Sequence, residues 1–278
     1  MKLSDYFARI DYRGPATPDL NCLAAIHRQH LLKIPYENLD VQLGQSVDLD
    51  PERIFDKLVF RRRGGWCYEM NGLLGWALEE IGFDVTRMAG GVMRSHLGDS
   101  TLGNHLVLAV RLEKTYIADV GLGNGLIEPT PLVEGSFSQG FRQFRLEKMA
   151  DGLWRFHNFP SALPADFDFR DEAADEYLFE STCRELQTDP ESMFVQNLIC
   201  ERLHEEGVRF LLGKTLFTFS GLESTQRILD SEEDLAETLS TIFSLDGIDV
   251  GRLWSRVVAR HQELFGNKSA AEISLDGS

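Results

Sequence analysis

The stretch RRRGGWCYEMNG, residues 61–72, places Cys67 one residue after the pair Gly64 and Gly65 and at the head of an amphipathic run. A helix start leaves backbone N–H groups unpaired and carries the positive end of the helix dipole, a setting that suits a sulfur nucleophile. The alternative is a small buried cysteine that only fills space. A thiol nucleophile needs a base, and among the seven histidines His105 is set apart by the residues on its C-terminal side. HLVLAVRLEKTYIADVG reads as a β-hairpin, and a turn centred on Leu112 puts His105 opposite Asp119. Directly opposite residues share a face with Cβ atoms about 4.5–5.5 Å apart, close enough for a carboxylate to hold one imidazole nitrogen. The alternative is a strand-end histidine beside an unrelated turn aspartate. Together Cys67, His105 and Asp119 form a nucleophile, a base and an orienter in chain order, the set that carries acyl transfer through a thioester.

These three side chains require a helix and a hairpin to present them. Helical spacing covers DLNCLAAIHRQHLLKI, which Pro35 ends, and DPERIFDKLVF, where Asp50 suits the N-cap and Pro51 the first helical position. A third helix starts at Cys67, with Leu73, Leu74, Ala77, Leu78 and Ile81 as its apolar face and Gly82 as its stop. After Gly82 the texture turns to short alternating segments, DVTRMAGGV, NHLVLAVR, TYIADVG and GLWRFHNF, predicting a barrel-like sheet up to about residue 160. SALPADFDFRDEAADE reads as a long acidic connection. Helical signals return from Tyr177, including DPESMFVQNLICERLHEEG, before a strand pair in VRFLLGKTLFTFSG and helices in SEEDLAETLSTIFSLDG and GRLWSRVVARHQELF. NKSAAEISLDGS reads as a frayed tail.

A chain of 278 residues is long enough for two or three compact parts. Its net charge of −16 argues against nucleic acid or an anionic membrane as the main partner, although a local basic pocket can still take an anionic ligand. Neither an apolar leader nor a membrane-length apolar run is evident, so the expected location is the cytoplasm. Four cysteines without a CxxC pair suggest neither a zinc site nor a disulfide framework.

RRGGWCYEMNGLL resembles the RGG-aromatic-C-x-E-x-N-G signature of the arylamine N-acetyltransferases. IPYENLDV, NHLVLAV and ADVGLG resemble three further motifs of that family, in the same order and at similar spacing, and DPESMFVQNL resembles a later one. The resemblance is dense over residues 30–125. It implies an α+β multidomain fold: an N-terminal helical bundle (1–84) with the nucleophile, a central β-barrel (85–190) with the histidine and aspartate, and a C-terminal α/β lid (191–278), around a cysteine-protease-like core. It also implies acetyl transfer from acetyl-CoA, a cosubstrate and not a bound cofactor, to arylamines or arylhydrazines by a ping-pong route, in a monomer or weak homodimer acting on xenobiotics. Carried over by residue, Cys67 is acetylated, His105 is its base and Asp119 orients the histidine. Glu37 and Arg63 take a structural ion pair. Tyr36 and Phe194 line the acceptor side, with core packing as the alternative for each. Leu122 stands where the family has phenylalanine, which removes an aromatic contact worth about 0.5–1.5 kcal/mol beyond area burial. Gly103, Gly121 and Gly123 are the candidates on the acetyl-CoA side, where backbone can approach a pantetheine or pyrophosphate, or, at Gly103, assist an oxyanion alongside the Cys67 N–H. Transglutaminases and papain-like hydrolases use the same Cys, His, Asp order, so a different acceptor is the competing expectation.

Overall fold

The computed structural model describes residues 1–160, 162–205, 207–221 and 223–266; the tail 267–278, expected to fray, lies outside them. In chain order the elements are α1 (Leu3–Ile10), α2 (Leu20–Lys33), β1 (Tyr36–Glu37), α3 (Leu39–Gln42), α4 (Pro51–Phe55), a π-helical turn (Asp56–Phe60), α5 (Cys67–Ile81), β2 (Asp84–Val92), α6 (Arg94–Leu97) and a 3-10 turn (Asp99–Thr101). Strands continue the order as β3 (His105–Arg111), β4 (Thr115–Ala118), β5 (Thr130–Pro131), β6 (Gly135–Gln139), β7 (Arg142–Lys148), β8 (Trp154–His157) and β9 (Asp166–Phe169). The remainder is α7 (Glu176–Thr188), α8 (Met193–Gln196), β10 (Ile199–His204), β11 (Gly207–Leu212), β12 (Thr215–Ser220), β13 (Glu223–Ile228), α9 (Glu232–Thr241) and α10 (Val250–Phe265). They form two compact units, Met1–Ile34 with Asp48–Arg184, and Pro35–Val47 with Glu185–Ser278. No helix among the described residues is long and apolar enough to cross a membrane.

In the first unit the helix signals act where expected. The Asp19 carboxylate accepts the Cys22 N–H at the head of α2, and Asp50 accepts the N–H groups of Glu52 and Arg53 at the head of α4. The run after Pro51 does not stay α-helical: it widens into the π turn, and Lys57, Leu58 and Val59 are all buried there. Gly82 closes α5 in the left-handed conformation at φ +103°.

The sheet of this unit has eight antiparallel strands in the order β5-β4-β3-β2-β9-β8-β7-β6. Its end strands, β5 and β6, do not pair with each other, so the expected barrel is a curled half-barrel and not a closed one. Met88, Val107, Ala109, Ile117, Phe144, Phe156, Phe167 and Phe169 fill its core. β9 lies in the segment read as an acidic connection and is an interior strand, a correction with a clear cause. Phe167 and Phe169 enter the core, while Asp168 is held by Arg94 at 2.9 Å and by Arg155 at 2.6 Å. Burial alone would raise the Asp168 pKa, but the two guanidinium groups outweigh it and hold the carboxyl below its ordinary value.

The second unit is built on a five-stranded antiparallel sheet in the order β1-β10-β11-β12-β13. Leu39, Leu198, Cys200, Leu211, Leu216, Leu235, Phe243 and Leu253 make its core. The sequence ICERLH, read as helical, is strand β10. Its backbone pairs with β1 on one side and β11 on the other, and tertiary pairing overrides the charge spacing that mimics a helix.

Candidate active site

Cys67 is the first residue of α5 and only 3% exposed. Its N–H is one of the first-turn donors for which a helix supplies no acceptor of its own. The turn ahead of it is held by a buried ion pair: Lys57 Nζ lies 2.8 Å from Glu69 Oε1, and Glu69 Oε2 accepts the Trp66 N–H at 3.3 Å. Trp66 and Tyr68 pack edge to face, and the Tyr68 hydroxyl donates to the Gly103 carbonyl at 2.6 Å.

His105 opens β3 and Asp119 comes directly after β4. The hairpin pairs Leu108 with Ala118 and Val110 with Tyr116, which centres the turn on Glu113 and not on Leu112. Continued past Ala118, this register would set Asp119 opposite Val107, so His105 is its diagonal neighbour on the same face. A diagonal spacing of about 7–8 Å between Cα atoms remains within reach of two long side chains. His105 Nε2 lies 2.8 Å from Asp119 Oδ2, and both groups are buried. The direct opposition expected from the sequence is therefore corrected, while the contact itself forms.

The aim of the carboxylate comes from elsewhere. Asn71, one helical turn beyond Cys67, donates from Nδ2 to Asp119 Oδ1 at 2.8 Å and to the Leu106 carbonyl at 2.6 Å, and its Oδ1 accepts the Val120 N–H at 2.9 Å. The Gly121 N–H also donates to Asp119 Oδ1, at 2.8 Å. On the other side His27, from α2, has Nε2 3.1 Å from both the backbone nitrogen and the carbonyl oxygen of Asp119, and Nδ1 3.3 Å from the Ile127 carbonyl oxygen.

Burial works against charge on this pair, yet each member stabilises the other. For His105 the desolvation cost is outweighed by the Asp119 charge and hydrogen bond and by a hydrogen bond with Cys67, so its pKa rises above the ordinary 6.5. For Asp119 burial is outweighed by His105, Asn71 and the Gly121 N–H, so its pKa falls. With Nε2 taken by Asp119, Nδ1 is the ring nitrogen left for Cys67, whose sulfur also lies 3.7 Å from the Asn104 carbonyl oxygen. A thiol, an imidazole and a carboxylate in this order can shuttle one proton and carry an acyl group.

The other residues marked from the sequence are distributed unevenly. Gly121 lies against the head of α5: a Cβ on it would fall 2.7 Å from the Cys67 Cα and 2.6 Å from Asn71 Nδ2. Gly103 has φ +95°, and a Cβ there would meet Leu178; Gly123 has φ +70°. Each of the three thus has a backbone reason to be glycine. Leu122 is 7% exposed and packs with the core of the eight-stranded sheet. Tyr36 and Phe194 belong to the second unit, Tyr36 on β1 opposite Glu201, and Phe194 in α8 with its carbonyl accepting from Asn38 and Gln42. His27 carries no mark in the sequence, and Asn71, the asparagine of the C-x-E-x-N-G signature, carries no assigned role there. Spacing could have found Asn71, four residues from Cys67 on one helix face, but no local signal ties His27 to a residue 92 positions away.

A family model described as N-acetyltransferase matches residues 19–250. The chain is 35% identical to the arylamine N-acetyltransferase of Mycolicibacterium smegmatis over 270 residues, 93% of this chain and 96% of that one. It is 31% identical to arylamine N-acetyltransferase 1 of Oryctolagus cuniculus, covering 95% and 99% of the two chains. The solved structure of Mycobacterium marinum arylamine N-acetyltransferase in complex with CoA superposes with a TM-score of 0.83 at 30% identity, over 92% of this chain and 98% of that one. With its α+β fold shared over that length and the motifs in register, the chain belongs to the arylamine N-acetyltransferase family.

Proposed function

We propose that the protein transfers an acetyl group from acetyl-CoA to arylamines or arylhydrazines through an acetyl-cysteine thioester. The observation that carries this reading is the buried His105–Asp119 pair, 2.8 Å apart, beside a cysteine at a helix start. In the first half, His105 takes the Cys67 proton, the sulfur attacks the acetyl carbonyl, and CoA leaves as its thiol with the proton returned from the imidazolium. In the second half, the amine nitrogen attacks the acetyl-cysteine carbonyl, its proton passes to His105, and the S–C bond breaks to regenerate Cys67. Asp119 keeps the imidazole in one tautomer and supports its charged form. The first-turn N–H of Cys67 is suited to the oxyanion of each tetrahedral intermediate. The order of roles is that of a cysteine protease, and the work proposed is acetylation of foreign arylamines in the cytoplasm.

Leu122 bears on the acceptor, since the aliphatic side chain offers an aryl ring area but no ring contact. Gly103, Gly121 and Gly123 are the glycines assigned to the CoA side; Gly123 is half-buried and the other two are buried. The test is the intact mass of the protein after incubation with acetyl-CoA. A single acetyl adduct that is absent in Cys67→Ala and discharged by an arylamine or arylhydrazine is expected. No adduct on the wild-type protein overturns the reading in favour of a hydrolase or a transglutaminase-like acyl transfer.

A further inference from the structure

We propose that His27 is a positioning residue for acyl transfer: its imidazole clamps the backbone at Asp119 and Ile127 and so sets the aim of the carboxylate that holds His105. The proposal rests on the role of Asp119 as orienter.

His27 is completely buried on α2 and touches neither Cys67 nor the His105 ring in any hydrogen bond among the described residues. Its two nitrogens face backbone. Nδ1 faces only a carbonyl, that of Ile127, so this bond requires a proton on Nδ1. A neutral ring protonated there leaves Nε2 bare, and Nε2 then accepts the Asp119 N–H at 3.1 Å. This tautomer serves two buried backbone groups. A proton on Nε2 would reach the Asp119 carbonyl alone, and would set the bare Nδ1 against the Ile127 oxygen while depriving the Asp119 N–H of its acceptor. Burial holds the ring neutral, with its pKa pushed down to about 4 against the pull of the Asp119 charge. The clamp is needed because Asp119 lies beyond the last paired residue of β4, Ala118, so no strand ladder fixes its backbone. The side chain of Asp119 is held by Asn71, and its main chain by His27.

Steady-state kinetics on His27→Gln and His27→Asn test this, with thermal unfolding measured on each. The Gln side-chain oxygen reaches the place of Nε2 and can accept the Asp119 N–H; the Asn oxygen stands near Nδ1 and cannot. His27→Asn is expected to lower kcat about 10-fold to 100-fold, the loss typical of a small displacement of catalytic geometry, with KM for acetyl-CoA little changed. His27→Gln is expected to retain most of kcat even where its thermal stability falls as far as that of the Asn variant. Equal kcat in the two variants, whether high or low, overturns the proposal. Asp119→Asn run in parallel separates the two levels: wild-type turnover there overturns the orienter role itself, whereas an inactive Asp119→Asn with equal Gln and Asn variants overturns only the part assigned to His27.

Discussion

Replacing Asp119 with asparagine changes one atom's chemistry and should silence the site. Asp119 Oδ1 already accepts from Asn71 and from the Gly121 N–H, so an amide at this position would keep its oxygen there and turn its NH₂ toward His105. Nε2 of His105 would then have to accept, which forces the ring proton onto Nδ1, the nitrogen that must receive the Cys67 proton. A folded protein with acyl transfer reduced by about four orders of magnitude is expected, by analogy with the same exchange in serine triads, and acetyl-enzyme formation measures it. Cys67, His105 and Asp119 were legible because residue type and a hairpin pattern sufficed to bring them near one another. The register itself was not, since the turn at Glu113 has no glycine to fix it and a shift to the diagonal costs only a longer reach. His27 was hidden for a different reason. Its partners are backbone groups, and backbone has no signature in a sequence.

At the scale of elements, the loop before Cys67 and the loop after Asp119 are pinned by contacts that leave little room. Lys57→Met removes a cation from the buried Glu69 carboxylate at the head of α5. Deleting one partner of a buried ion pair typically costs about 3–5 kcal/mol, which a lowered urea midpoint at pH 7 would register. Gly121→Ala would drive a methyl group to within 2.7 Å of the Cys67 Cα, so the strand-to-loop exit and the helix start must part. Loss of acetyl-enzyme formation together with lower stability is expected, read by intact mass and by thermal unfolding. α2, α4, α5, β2, α9 and α10 could be read from periodicity and caps because each carries a one-sided apolar pattern or a capping residue, and β3 from its continuous apolar run between turn signals. β9 and β10 could not. In DFDF both the apolar and the acidic residues are buried; Arg94 and Arg155, 74 and 13 residues distant, make that tolerable for Asp168, and the Ser95 hydroxyl, 71 residues distant, donates to Asp166. In ICERLH the pairing partners β1 and β11 decide the conformation.

For the whole molecule, acid should loosen the fold through its buried histidines. The pKa of His27 is pushed down to about 4, and that of His30 well below 6.5, in each case mainly by burial. Between pH 6.5 and 4 the unfolded chain binds protons at both rings and the folded chain largely does not, so stability falls as pH falls, by up to about 1.4 kcal/mol per pH unit for each ring. His105 has the opposite sign. Its raised pKa contributes fully below 6.5 and fades as pH rises toward the folded value, while the lowered Asp119 pKa contributes above 3.8, so neither adds slope in the acidic window. Urea midpoints at pH 6.5 and 5 should therefore differ, and His27→Gln should shrink the difference. A last consequence comes from the way the second unit interrupts the first. Residues 35–47 belong to a sheet whose next strand, β10, contributes Ile199, 161 residues beyond Asn38, to which it is hydrogen bonded. On the ribosome, β1 emerges early and must wait, unpaired, while the larger segment of the first unit, Asp48–Arg184, is synthesised. The short two-residue strand exposes few open backbone groups during that delay, and its brevity protects the nascent chain from pairing with the wrong neighbour.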